Sequence, residues 1–317
     1  MRHELCSIEV TREASKTKIR AARAVILQKI TPVTELWKKI FSHKFSRQSP
    51  YPGTDITRFP VPDNKLDWRT KFKDYNPVYY DNPRYKLFNE PADPYLVHHF
   101  NENIDGVNRQ SNTAEYVVIE GKPLNPKGRT GMSGRGELER WGPNHVSVSL
   151  VSRWARKEGK LVTINNQRIL EVIVVRRGGS DKWDLPGGYI RENESISSAH
   201  KRTFLETAMA LSKKSEEEKL KLQQQVDSWM HSGIVLYKGY FDDARNTDNS
   251  WIEVHAVNYH QEDDQLPEEF ESCGDVEEVT WRVMDDKQTM NKNNLWILKK
   301  MCIHLGAYNP YKGEILI

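Results

Sequence analysis

The stretch from Trp183 to Ala208 constrains the fold of this chain more than any other. It runs Trp-Asp-Leu-Pro-Gly-Gly-Tyr and passes into a helix-forming segment that spans Ser195 to Leu211. A buried strand end, a double-glycine turn at Gly187 and Gly188, and a helix opening near Glu192 and Glu194 make one strand–turn–helix unit. Such a turn leaves backbone N–H groups beside a helix N-terminus, a setting that suits phosphate oxygens. Acids three or four residues apart share one helix face, and carboxylate oxygens are what a hard divalent cation takes. On this helix Glu206 offers one carboxylate, with Thr203 and Thr207 near it, and Glu194 offers a second from the start of the helix. Glu206 and Glu194 are the candidate metal ligands and catalytic acids, for Mg2+ or Mn2+ held weakly or not at all. Taken singly, each also suits a capping or solvated helix acid.

The rest of the chain arranges itself around that unit. The 317 residues suffice for one large domain or two ordinary ones, and no run of eighteen apolar residues is present to span a membrane. Three scattered cysteines, Cys6, Cys273 and Cys302, fit neither a disulfide framework nor a zinc site, which points to a reducing compartment. The net charge of +3 is uneven: residues 1–48 hold eleven Lys or Arg against four Glu. That segment has helical apolar spacing (Ile19, Ala22, Ile26, Ile30). Its glutamates argue against an organelle-targeting peptide, so it reads as a basic helical lead-in or linker.

Residues 49–159 read as an N-terminal lobe of loops and short extended pieces, and residues 160–317 as the core domain. In the core, Leu170-Glu-Val-Ile-Val-Val-Arg, Gly233-Ile-Val-Leu-Tyr and Ser250-Trp-Ile-Glu-Val-His-Ala-Val are strands, Ser212–Gln225 is a polar surface helix, and Asn294–Leu305 is a closing helix. Gln261–Glu278 is an acidic loop before a last strand at Val279. The order predicts an α+β fold, a mixed sheet sandwiched by helices, with a cap-like N-terminal lobe.

Gly188, Glu194, Arg202, Phe204 and Glu206 fall on the places of the Nudix hydrolase signature, in which a Gly, five residues and a Glu are followed, seven residues on, by Arg-Glu-hydrophobic-x-Glu-Glu. Thr203 and Thr207 depart from it. Further segments match one branch: Arg47-Gln-Ser-Pro-Tyr-Pro-Gly-Thr-Asp, Arg58-Phe-Pro-Val-Pro, Leu124-Asn-Pro-Lys-Gly-Arg-Thr-Gly, Trp141-Gly-Pro-Asn-His and Tyr237-Lys-Gly-Tyr-Phe-Asp-Asp-Ala-Arg-Asn-Thr-Asp-Asn. From about Arg47 to Tyr308 the chain resembles the Nudix-type ADP-ribose pyrophosphatase family. Within it, it is most similar to the carboxy-terminal Nudix homology domain of the ADP-ribose-gated melastatin-type TRP cation channel.

The resemblance implies ADP-ribose in a cleft between the two lobes. It implies Asp243 and Arg245 on the adenosine ribose and phosphate side, where an Arg fork suits phosphate. His145, Ser147 and Ser149 would face the ligand, joined by Leu185 and Gly188 of the turn, with Asn293 at the distal ribose. Asn291 stands where the channel domain has a tyrosine. Read without the resemblance, Asp242, Asp243, Asp248 and Asn249 equally suit a turn, and His145 a packed histidine. The Gly128–Gly136 segment lacks a P-loop ending and reads as a structural loop with Arg129 or Arg135 as phosphate partners.

Three functions follow. The first is an ADP-ribose sensor with weakened hydrolysis, working in the cytoplasm or, as part of a tetrameric channel, on the cytosolic side of the plasma membrane. The second is a metal-dependent ADP-ribose pyrophosphatase giving AMP and ribose 5-phosphate, with Glu253 as a further candidate base and a mitochondrial location as the alternative. The third is a nucleic-acid or membrane-surface binder, which the near-neutral charge and the lack of aromatic–basic interleaving argue against.

Overall fold

The computed structural model describes residues 43–84, 96–97, 99–262, 270–284 and 290–311. The basic segment expected at 1–48 therefore lies, up to residue 42, outside the described residues. The described residues belong to one compact unit.

The strands that matter are β1 (Val78–Asp81), β2 (Met132–Gly136), β3 (Gly142–Trp154), β4 (Leu170–Arg177), β5 (Trp183–Asp184), β6 (Gly187–Tyr189), β7 (Ile234–Phe241), β8 (Ser250–Gln261) and β9 (Val276–Val283). The helices are α1 (Ile196–Ala208), α2 (Glu216–Trp229) and α3 (Lys292–His304). The central sheet runs β5-β4-β3-β8-β7, with β6 added to β3 and β9 to β4. The pair β3–β8 is parallel and the other pairings are antiparallel, so the sheet is mixed.

Strand alternation sends successive side chains to opposite faces, and both faces here are apolar. Leu150, Val172, Val174, Ile252 and Val254 meet Leu298 and Met301 of α3 on one side. Val151, Ile173, Val257 and Tyr259 meet Phe204, Leu205 and Ala208 of α1, with Val226 and Trp229 of α2, on the other. Each large side chain so buried contributes about 1.5–3 kcal/mol, which is why helices close both faces. The expected α+β sandwich is what forms. Ser195 caps α1, its hydroxyl accepting the Ser198 N–H at 3.1 Å. Ser215 and Glu218 close a capping box on α2.

Two sequence boundaries move. The lobe was expected to end at residue 159, but β3 is a central strand of the core sheet, paired along its whole length with β8. The core therefore starts at Gly142. The last strand begins at Val276, inside the segment read as acidic loop, because β9 pairs with β4 from Arg177↔Val276 onward.

Before Gly142 the chain forms the parallel pair β1–β2 and short hairpins. Loop 242–249 fastens this lobe to the core. Asp242 accepts the N–H groups of Phe45 and Ser46 at 3.0 and 2.9 Å. Asp248 accepts the Thr130 N–H and hydroxyl at 2.7 and 2.9 Å. Arg58 donates to the Ala244 and Asn246 carbonyls. Arg129 and Arg135, the candidate phosphate partners of the glycine-rich segment, are buried instead. Arg129 donates to the Lys65, Asp67 and Trp68 carbonyls, and Arg135 forks onto Asp81. That segment is structural.

Candidate functional site

The double-glycine turn is a packing requirement before it is a site. A Cβ on Gly187 would stand 2.3 Å from the Ser147 carbonyl oxygen, and one on Gly188 would stand 3.2 Å from Thr203 Cγ2. Only glycine lets β6 lie this close to β3 while α1 crosses behind it. Arg202 ties the unit together, donating to Glu194 at 2.6 and 2.8 Å, to Glu206 at 2.7 Å and to the Tyr189 carbonyl at 2.8 Å. Those bonds from Arg202 hold the Glu194 carboxyl below the usual carboxylate range. Arg191 takes the other Glu206 oxygen at 2.9 Å.

Both carboxylates expected to hold a metal are thus spent on guanidinium groups. Thr203 is buried, with its hydroxyl 3.0 Å from Ser147 Oγ. Thr207 donates back to the Thr203 carbonyl at 2.6 Å. No three His, Cys, Asp or Glu side chains are placed to hold a metal among the described residues. Two ion-paired carboxylates are short of the oxygen shell that Mg2+ or Mn2+ requires, so the donors among the described residues do not fit a resident ion.

A cavity of about 400 Å³ opens on the α3 side of the sheet, inside the roughly 300–1,000 Å³ range of small-ligand sites. Its floor is Val146 and Val148 of β3 with Ile252 and Val254 of β8, and the turn residues Leu185, Gly187 and Gly188 form its edge. Asp243 and Arg245 stand on one wall. Arg245 Nε and Nη2 donate to the two Asp243 oxygens at 2.8 and 2.9 Å, and its backbone N–H adds a third bond at 2.9 Å. Burial disfavours the Asp243 charge, but Arg245 outweighs it and keeps the carboxyl below its ordinary range. Asp243 in turn raises the Arg245 guanidinium well above its own. Tyr51 of the lobe braces this wall, its hydroxyl donating to the Arg245 carbonyl at 2.7 Å. Arg177 and Asp275 form a second ion pair at the rim, 2.6 Å apart, and Arg177 also reaches the Gly187 carbonyl at 3.3 Å. Asp184 and Asn294 also line it.

Of the residues singled out from sequence, the structure brings Leu185, Gly188, Asp243 and Arg245 together in this cavity. The Asn293 side chain lies outside the described residues. His145, Ser147, Ser149 and Glu253 sit on the opposite face of the sheet. Ser147 meets Thr203 and the Gly188 carbonyl, and Ser149 meets His200 Nδ1 at 2.9 Å. Glu253 is fully buried, held by the Asn112 N–H at 2.6 Å and the Trp251 indole at 3.2 Å, and so is no base for this cavity. His145 stands opposite Glu253 in the register, with Nδ1 3.4 Å from Asn112 Nδ2. Burial lowers its imidazole from the ordinary value. The cause is the period of two: in β3 and β8 the odd residues face α1 and the even ones face the cavity.

The sandwich and its strand–glycine turn–helix define a Nudix-type domain, and similarity to known proteins narrows the class. Residues 61–142 match the family model described as NUDT9-like, N-terminal domain. The chain is 36% identical over 269 residues to the mitochondrial ADP-ribose pyrophosphatase of Rattus norvegicus, covering 81% of this chain and 77% of that protein. It is 37% identical over 270 residues to the transient receptor potential cation channel subfamily M member-like 2 of Nematostella vectensis, covering 82% of this chain but 17% of the channel. It is also 37% identical over 216 residues to the putative nudix hydrolase 6 of Caenorhabditis elegans, covering 66% of this chain and 76% of that protein. The chain belongs to the NUDT9-like ADP-ribose pyrophosphatase family of Nudix proteins. It spans about a sixth of the length of the channel relative. No helix among the described residues is long and apolar enough to cross a membrane.

Proposed function

We propose that this domain binds ADP-ribose in the cavity between the glycine turn and Asp243–Arg245, and that it works as a sensor with weakened hydrolysis. The observation that carries the reading is the state of the signature helix. Thr203 is turned onto Ser147, Thr207 onto its own helix, and Glu206 is held between Arg191 and Arg202. Cleaving a diphosphate depends on a metal-binding carboxylate set to manage its charge, and the signature helix supplies only Glu206 toward such a set among the described residues. What remains is suited to recognition. Arg245 and Arg177 offer cations to the diphosphate, the glycine turn allows close approach, and the apolar floor accepts a flat base or sugar face. In a longer polypeptide the same domain would report ADP-ribose to a tetrameric channel from the cytosolic side of the plasma membrane.

Isothermal titration with ADP-ribose tests binding: one site per chain is expected, and no heat or stabilisation at millimolar ligand would end the proposal. The likeness to the rat enzyme over 77% of that protein's length favours a second reading, a metal-dependent pyrophosphatase yielding AMP and ribose 5-phosphate, with a mitochondrial location as its corollary.

A further inference from the structure

We infer that Asp184 is a specificity residue of the cavity, whose carboxylate accepts ligand sugar hydroxyls and turns phosphate away. The inference rests on the ADP-ribose reading and adds to it the part of the ligand that an uncompensated charge selects. Three carboxylates line the cavity, Asp184, Asp243 and Asp275. Two are matched to guanidinium groups, Asp243 to Arg245 at 2.8 Å and Asp275 to Arg177 at 2.6 Å. Asp184 is different. Its Oδ1 accepts from the Leu185 N–H at 2.9 Å and from the Asn294 side-chain amide, both neutral donors. Its Oδ2 has no hydrogen-bond donor, and the side chain no ion-pair partner, among the described residues.

The position is fixed by the backbone. Asp184 lies opposite Val175 in the β4–β5 ladder, and the next residue back is pinned to the approach to α3 by the Asn291 N–H bonding the Trp183 carbonyl at 2.8 Å. A carboxylate oxygen left open on a rigid wall takes hydrogen bonds from hydroxyls, which are stronger when the acceptor is ionised. It repels a like charge brought beside it. The two arginines and the lone carboxylate therefore divide the cavity into parts that favour phosphate and a part that favours a polyol. A bound dinucleotide-like ligand is oriented by that division.

The test is calorimetric titration of the wild-type protein, Asp184→Asn and Asp184→Ala with three ligands: ADP-ribose, ADP, which lacks the terminal sugar, and ADP-ribose phosphorylated on the 2′-hydroxyl of its adenosine. Wild type is expected to prefer ADP-ribose over both analogues. In Asp184→Asn the preference over at least one of them should fall by roughly tenfold or more, the size of a lost hydrogen bond to a charged group. Which preference falls identifies the sugar that meets Asp184. Melting curves without ligand show that the variants are folded, and the near-isosteric Asn variant stands in if the Ala variant is not. Wild-type binding with both preferences unchanged in Asp184→Asn overturns the assignment of Asp184 and leaves the ADP-ribose reading standing. Failure of the wild type to bind ADP-ribose overturns both.

Discussion

Replacing Arg245 with Ala should weaken ADP-ribose far more than it weakens the fold. The side chain is 40% exposed and its partner Asp243 is 16% exposed, so the pair is open enough that its loss costs about 1 kcal/mol of stability or less. Binding is another matter. The substitution removes one charge-assisted contact to phosphate, about 1.5–3 kcal/mol. It also leaves the Asp243 carboxylate on the cavity wall without its guanidinium, where its charge opposes the diphosphate by roughly another 1 kcal/mol at the intermediate dielectric of a partly open site. Together these predict a Kd raised about a hundredfold. Arg245→Lys keeps the charge but not the fork, and should recover about half of the lost free energy on the same scale. Asp243→Asn removes the repulsion while freeing the guanidinium, and should change Kd by less than about threefold, well under the 1.4 kcal/mol of a decade. Calorimetry of the three variants, each checked by thermal melting, decides the matter. An Arg245→Ala protein that melts normally and binds within threefold of wild type would take Arg245 out of the site.

Other consequences can be measured independently. Burial pushes the His200 imidazole down to about 3; since the unfolded chain protonates near 6.5, stability is lost as pH falls below that value, by up to about 1.4 kcal/mol per pH unit. His200→Gln should make the melting temperature depend less steeply on pH between about pH 6.5 and pH 4, leaving the slope supplied by His43, His145, His255 and His260, whose imidazoles burial also lowers; an unchanged slope would contradict the assignment. Gly187→Ala places a methyl 2.3 Å from the Ser147 carbonyl and should cost about 3 kcal/mol or more, so soluble protein with native melting would refute the close approach of β6 and β3. Thr207→Glu should be tolerated, whereas Thr203→Glu buries a carboxylate against Ser147 and should lower the melting temperature. The double variant should release AMP faster than wild type, and no gain would show that the missing carboxylates are not what limits hydrolysis.

Much of the architecture was legible because period and punctuation act locally. The apolar run from Leu170 could only be a strand covered on both faces, and Ser195 announced a helix start by chemistry that needs no tertiary context; the helix read as Ser212–Gln225 instead begins after the Ser215 cap and runs Glu216–Trp229. Gly187 and Gly188 were legible as a turn for a similar reason, whereas Leu185, Asp243 and Arg245, which line the cavity, were singled out by the resemblance, since read alone Asp243 equally suits a turn. The face of β3 was not read correctly. Ser147 and Ser149 attract attention as small polar residues on a strand, but the apolar side chains between them, Val146 and Val148, floor the cavity, and a shift of one residue exchanges the two sets. Arg177, Asp184, Asp275 and Asn294 were missed because nothing local marks them. They meet only when β4, β5, the turn before β9 and α3 come together. Glu253, an acid in an apolar strand, looked available as a base, but the Asn112 N–H and the Trp251 indole had already claimed it.

The most direct test of the central claim is to incubate the purified protein with ADP-ribose and magnesium, record the melting temperature, and assay the solution for AMP. Binding with weakened hydrolysis predicts a raised melting temperature with most of the ADP-ribose recovered intact. Steady AMP release at an ordinary enzyme's rate, about 1 per second or more, would contradict it, and would mean that Glu206 and an acid outside the signature helix suffice for an enzyme.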